Sequence, residues 1–305
     1  MRGSSLLALT ALFAPVSAYA HVKWFADYDI ASPPRPLIDV FLGEYFLAFI
    51  VILVPLMFAV AYLDRYLARA NCLLYRLCDR LTESVSGYFS VILRLGVGVF
   101  FTALFSYGEF ILTPELKSQE AWVRWVQLAI AIFSLTRQSA WLAGAGIFLL
   151  YGFALVMYGF FHLSDYPIFL GVAIYLIIDS YYRSGKPELA QTVMRVATGI
   201  TLLWASIEKF AYPEWSFLLL SERPALSMGF NPEFYMVAAG FVEFCAAFLL
   251  VTGMLSSRAA ALVLLFFFVS AIVPFGMIDA IGHSVIIIVL ALIAMSHNPV
   301  ARRFD

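Results

Sequence analysis

The chain is dominated by apolar runs too long and too uninterrupted for a solvated fold. The runs at 262–274 and 284–295 contain no charged residue. A backbone in hydrocarbon has to satisfy its own N–H and C=O groups, so runs of this kind cross a bilayer as helices. A crossing takes about 20 predominantly apolar residues for a hydrocarbon core of about 30 Å. The whole chain is 63% hydrophobic and 13% charged, against about 25% charged in a soluble domain. The lipid bilayer is therefore its first partner. No basic run lies outside the short loops, which argues against a nucleic-acid partner.

The start of the chain reads as a signal peptide over residues 1–20. Arg2 supplies a positive region, residues 6–16 an apolar core, and Ala18-Tyr19-Ala20 a small-x-small cleavage site. Cleavage there leaves His21 as the mature N-terminus. Residues 21–40 are polar, aromatic and broken by Pro33, Pro34 and Pro36, so they form an extended segment outside the membrane. A leading span follows at 41–63. Residues 64–83 interleave Arg65, Arg69, Arg76 and Arg80 with Leu and Tyr, a pattern that suits a helix lying in the cytoplasmic interface.

Eight more spans are predicted at 88–108, 121–136, 139–161, 166–182, 195–211, 232–254, 258–275 and 278–296. The expected fold is an all-α membrane protein of about nine transmembrane helices. With the mature N-terminus outside, the cytoplasmic loops and tail collect Arg65, Arg69, Arg76, Arg80, Arg94, Arg137, Arg183, Lys186, Arg195, Arg258, Arg302 and Arg303. The outer side keeps only Lys23, Arg35, Lys117, Arg124, Lys209 and Arg223. This satisfies the positive-inside rule. It predicts a bacterial inner (plasma) membrane protein with a periplasmic N-terminus and a cytoplasmic tail at 297–305. Cys72, Cys78 and Cys245 form no CxxC pattern and read as structural thiols.

An internal repeat runs through the map. Arg94-Leu-Gly-Val-Gly-Val-Phe-Phe aligns with Arg195-Val-Ala-Thr-Gly-Ile-Thr-Leu. Gln127 falls opposite Glu243, and Phe161-His-Leu-Ser-Asp-Tyr166 falls opposite Ile278-Asp-Ala-Ile-Gly-His283. The simplest account is a leading region at 41–86 followed by two parallel four-helix units, at 87–183 and 195–296.

On this topology the acids gather at the outer face, with His21, His162 and His283. Glu208 and Lys209 are adjacent charges at the end of an apolar run. A charge at mid-span costs about 2.5–3.5 kcal/mol on insertion scales, so such a pair calls for a partner or a function. Glu243 stands deep in its span between Phe241, Val242, Phe244 and Cys245. Lys209 is its natural ionic partner. An intramembrane acid is a functional candidate by default, and packing by a neutral acid is the alternative. Asp279 and His283 are four apart and share a helix face. That spacing serves a proton relay, a hydrogen bond to a quinone, or a metal ligand; an acid at a helix start beside an interfacial histidine is the simpler reading. His162 with Asp165 repeats the theme. A mature N-terminal His21 offers an amine and an imidazole to Cu(II), with His162 as a second outer ligand. There is no Walker loop, GxSxG or zinc motif, and Gly96 and Gly98 do not complete a dinucleotide fingerprint.

Residues 195–295 resemble the DoxX-like family of small four-helix membrane proteins. The resemblance rests on Arg195 opening the first helix, Glu208-Lys209-Phe210 near its end, Gly240-Phe-Val-Glu-Phe-Cys-Ala-Ala-Phe-Leu-Leu-Val-Thr-Gly253, and Arg258 before a final apolar pair. It covers about a third of the chain, or two-thirds if the first unit is a diverged copy. It implies a membrane redox accessory, linked to the quinone-reducing thiosulfate oxidation system or to thiol and oxidative-stress defence. The leading span, the signal peptide and the His21 segment depart from the family pattern.

Three functions follow. The first is a redox protein, quinone-linked, with Glu243, Glu208 and Lys209 handling protons, and His283 and Asp279 holding the cofactor. It would work with a membrane or periplasmic redox partner. The second is copper binding or delivery through His21 and His162. The third is a non-catalytic subunit of a larger membrane complex.

Overall fold

The computed structural model describes residues 24–25, 32–70, 73, 76–77, 80, 82–83, 87–181, 187–253 and 255–296. The signal peptide, His21, Cys72, Cys78 and the tail at 297–305 lie outside the described residues. The described residues form an all-helical protein: α1 (Leu37–Phe41), α2 (Glu44–Arg69), α3 (Phe89–Tyr107), α4 (Ala121–Ser134), α5 (Ala140–Leu163), α6 (Pro167–Tyr181), α7 (Pro187–Ala211), α8 (Glu214–Glu222), α9 (Pro232–Thr252), α10 (Leu255–Phe275) and α11 (Met277–Ala294). A 3₁₀ turn, Pro224–Ser227, joins α8 to α9.

Each predicted span contains a helix. Among the described residues, six helices are long and apolar enough to cross a membrane: α2, α3, α5, α9, α10 and α11. The chain is a multi-pass membrane protein. With 14 and 15 residues, α4 and α6 reach only about 21–23 Å at about 1.5 Å per residue. Glu188, Arg195, Glu208 and Lys209 interrupt α7. The leading helix is longer than the sequence pattern suggests. It runs through Arg69 with Asp64 buried inside it, so residue 64 does not begin a separate interfacial helix. The backbone of α5 breaks at Gly159, with φ 82° and ψ 171°.

The helices pack in chain order around a closed circuit. Helix α3 lies on α4, α4 on α5, α5 on α6, α6 on α7, α7 on α9, α9 on α10 and α10 on α11, which returns to α3. Helix α2 stands outside this circuit against α9 and α10. Inside it, Phe100, Phe101, Leu104, Leu150 and Leu176 are almost wholly buried. At buried-side-chain magnitudes of about 1.5–3 kcal/mol each in water such a core would be decisive. In lipid, close packing does the work instead.

Arginine and aspartate tie the helix ends at one end of the bundle. Arg94 donates to Leu135 O at 2.7 Å and Ser134 O at 3.3 Å, the free carbonyls ending α4. Arg195 donates to Gly253 O at 3.4 Å, past the end of α9. A Cβ on Gly98 would stand 2.8 Å from Ser134 Oγ and 3.5 Å from Ala131 O; one on Gly199 would stand 2.6 Å from Val251 Cγ2 and 3.4 Å from Ala247 O. The sequence-aligned arginines and glycines of α3 and α7 thus make matching contacts with α4 and α9. Asp64 of α2 caps α10, accepting from Leu255 N and Ser256 N at 3.0 Å each and from Ser256 Oγ at 2.6 Å. The other end of the bundle carries most of the remaining acids.

Candidate functional site

The loop at 108–120 is the first element that builds the acid-rich end. Phe110-Ile-Leu-Thr-Pro-Glu-Leu116 is too apolar for a solvated turn, and Ile111, Leu112 and Leu116 are fully buried. Ile111 N donates to Leu116 O at 2.6 Å and Ser118 N to Glu109 O at 2.8 Å. Gln127, fully buried in α4, donates from Nε2 to Phe110 O at 2.6 Å and Ile111 O at 3.0 Å. This answers the loop's backbone carbonyls where water does not reach. The loop therefore folds inward and carries Glu115 with it.

Glu115 then links His162, in the last turn of α5, to Tyr166 in the turn that follows. His162 Nδ1 lies 2.7 Å from Glu115 Oε1, and Tyr166 donates its hydroxyl to Glu115 Oε2 at 2.5 Å. Exposure rises along this chain, from Tyr166 at 2% to the Glu115 side chain at 6% and the His162 side chain at 12%. Tyr166 sits in the turn between α5 and α6. It is almost wholly buried, and its hydroxyl proton is directed to Glu115. The sequence pattern pairs His162 with Asp165, but His162 turns to Glu115 instead. Asp165 is fully buried and lies within electrostatic range of Glu243.

The expected Lys209–Glu243 pair is present. Lys209 Nζ donates to Glu243 Oε2 at 2.7 Å, with side-chain exposures of 7% and 1%. Lys209 is thus buried and paired, and does not extend to the interface. Its neighbour Glu208 faces elsewhere and accepts from Trp204 Nε1 at 3.2 Å. Helix α8 and the 3₁₀ turn follow α7 and place the start of α9 beyond its end, so Lys209 meets α9 midway along its length. Asn231 caps α9 by accepting from Glu233 N at 2.8 Å, and Pro232 fills its first turn.

His283 Nδ1 lies 3.0 Å from Asp279 Oδ1, and both side chains are buried. The His283 ring is flanked by Phe268 and Trp24, at centroid distances of 4.9 and 4.6 Å. Trp24 is the residue that joins the two halves of the cluster. Its Nε1 points to Tyr166 Oη at 3.5 Å while its ring lies beside His283. Gly282 gives it room, since a Cβ there would fall 2.2 and 2.4 Å from Trp24 ring atoms. The N-terminal segment is pinned again at Arg35, which donates to Glu214 at 2.6 Å and to both oxygens of Glu233, while Arg35 N donates to Ala211 O at 2.8 Å. Glu233, and then Glu214, hold the Arg35 guanidinium above its usual value against the opposing effect of burial.

Among the described residues, the cluster brings four carboxylates (Glu115, Asp165, Glu243 and Asp279) towards one lysine and two histidines. The arrangement can store protons, pass them along Tyr166–Glu115–His162, and donate hydrogen bonds to a polar guest. An anionic guest would add to an existing excess of negative charge, so a neutral one fits better. His21 lies outside the described residues. His162 directs Nδ1 to Glu115, and among the described residues no group of three or more His, Cys, Asp or Glu side chains is gathered to hold a metal.

Sequence reasoning singled out Lys209, Glu243, Asp279 and His283, which the fold gathers with Asp165 at one end of the bundle. It gave no role to Glu115, Tyr166 or Trp24. The signal available for Glu115 was the apolar character of its loop, together with Gln127 inside an apolar helix. Comparison with curated proteins and with solved structures finds no match to the chain. Residues 190–277, the stretch that carries Arg195, Lys209 and Glu243, match the family model DoxX.

Proposed function

We propose that this protein is a quinone-linked redox protein of the bacterial inner membrane, with its buried polar cluster towards the periplasm. The observation that carries this reading is the buried series Lys209–Glu243, Asp165, Tyr166–Glu115–His162 and Asp279–His283. Ionisable groups inside a membrane bundle are costly and mark function by default. The positive-inside bias of the loop arginines supports the orientation. The matching contacts of Arg94 with Arg195, and of Gly98 with Gly199, support two parallel four-helix units behind α2, with nine helices in the membrane.

A quinone supplies two-electron, two-proton chemistry and resides in the bilayer. Support for such a guest comes from Tyr166 and His283, one from each half of the bundle, which both contact the Trp24 indole. His283 would hold one of its oxygens, and Tyr166 would hold the other by turning its hydroxyl proton from Glu115 to the quinone. Asp279 Oδ1, 3.0 Å from His283 Nδ1, would orient the ring once the two groups turn into hydrogen-bond alignment. The Glu243–Lys209 pair, with Asp165 alongside, stores a proton, and Glu115 and His162 carry protons between Tyr166 and the surface. Electrons come from a membrane or periplasmic redox partner.

The test is the organic content of the purified protein, followed by titration with a short-chain benzoquinone. Bound quinone in the wild type, with weaker binding in His283→Ala and Tyr166→Phe, is the expected result. No extractable quinone and no saturable binding would refute the proposal.

A further inference from the structure

We infer that Arg195 binds a phosphate-type oxyanion, met in the bilayer as a phospholipid headgroup, at the end of the bundle opposite the acid-rich cluster. The site is separate from the quinone reading and survives its failure.

Arg195 is 5% exposed. Its one hydrogen bond among the described residues is to Gly253 O at 3.4 Å, near the outer limit for such a bond. No carboxylate among the described residues bridges to it. A guanidinium carries five N–H donors and keeps its charge, so one long bond to a neutral carbonyl leaves a largely buried cation without its counter-charge. The carbonyl end of α9 supplies part of the compensation. The remaining guanidinium nitrogens have no partner but are not fully buried, so they open to the surroundings at this end of the bundle.

The sequence-aligned arginine of α3 shows what is missing. Arg94 donates to Leu135 O at 2.7 Å, and its Nε donates to Ser90 Oγ at 3.3 Å, while Ser90 donates in turn to Asp179 Oδ2 at 2.5 Å. Arg94 thus has a carboxylate one hydroxyl away. The alignment of Arg94 with Arg195 puts Gln191 in the place of Ser90. Gln191 shares a helix face with Arg195 but makes no hydrogen bond to it. Asp64 does not supply the anion either, because it accepts from Leu255 N, Ser256 N and Ser256 Oγ and forms no ion pair with Arg195. The location suits a headgroup. Helices α9 and α10 are each long and apolar enough to cross the membrane, so the turn between them, and Arg195 with it, stands at the level of lipid phosphates. Arg258, buried in the first turn of α10, adds positive charge beside that turn. Phosphate oxygens match the planar fork of an arginine.

The test uses the full-length protein in a neutral detergent, with the wild type, Arg195→Gln, Arg195→Lys and Arg137→Gln compared. Native mass spectrometry during titration with phosphatidylglycerol measures retained lipid, and the thermal midpoint during titration with inorganic phosphate measures binding of the free ion. The wild type should retain phosphatidylglycerol. Arg195→Gln should weaken retention more than about tenfold, since charge-assisted hydrogen bonds are lost. Arg195→Lys, a point charge without the fork, should fall between the two. Arg137→Gln removes an equal charge at the same end, but from an arginine paired with Asp179, and should retain lipid as the wild type does. Saturable binding of inorganic phosphate without lipid retention, abolished in Arg195→Gln, supports the site with the free ion as its source. A wild type that binds neither, equal retention in wild type and Arg195→Gln, or an equal loss in Arg137→Gln overturns the proposal. If Arg195→Gln does not fold, unweakened retention in Arg195→Lys overturns it instead.

Discussion

Removing one member of the Lys209–Glu243 pair should be far more damaging than removing both. At 2.7 Å and an effective dielectric of about 20, the attraction amounts to about 6 kcal/mol. Desolvation of the two groups offsets most of this, so the net value of the pair is small, but an orphaned partner costs about 3–5 kcal/mol. Lys209→Met should be the worse single change, because it leaves Glu243 and the nearby Asp165 facing one another without their cation. Glu243→Leu leaves Lys209 as a buried cation without its carboxylate, but opposes no two like charges. In Lys209→Met/Glu243→Leu both costs lapse together, and the double variant should lie within about 1 kcal/mol of wild type by the same buried-pair argument. Reversible unfolding in mixed micelles, followed by far-UV circular dichroism, measures all four proteins. A coupling of about 2 kcal/mol or more is expected for groups in direct contact. Additive single effects, or single effects below about 1 kcal/mol each, would refute the claim that the two charges are desolvated and mutually dependent.

Asp64→Ala removes the acceptor of three hydrogen bonds from Leu255 and Ser256, and should lower stability by about 1–3 kcal/mol in the same unfolding assay, more than Ser256→Ala does. Arg35→Ala breaks bonds whose side chains are 29–54% exposed. Global stability should therefore change by less than about 1 kcal/mol, while proteolysis near residue 35 becomes faster.

The helices were legible because their signal is local. Apolar runs such as 284–295 place α11 without knowledge of any partner, and the four-residue spacing of Asp279 and His283 fixes their shared face. The pairing of Lys209 with Glu243 could be anticipated because two charges in adjacent apolar helices have few alternatives. The rest of the cluster depends on contacts far apart in sequence. Trp24 meets Tyr166 across 142 residues, and neither type in isolation suggests a site. His162 went to Glu115 and not to Asp165, because the loop at 108–120 folds into the bundle and brings a second acid to the histidine. Asp64 looked like the start of an interfacial stretch, since sequence does not reveal that α10 needs a cap there.

A quinone ring seated between Tyr166 and His283 would lie within labelling distance of both side chains. Photolabelling with an azido-benzoquinone, followed by peptide mass spectrometry, tests it most directly. Label on the peptides that carry Tyr166, His283 or Trp24, suppressed by excess unlabelled benzoquinone, is the expected result. Label confined to the lipid-facing surfaces of α2 and α10, or unaffected by competitor, would contradict it.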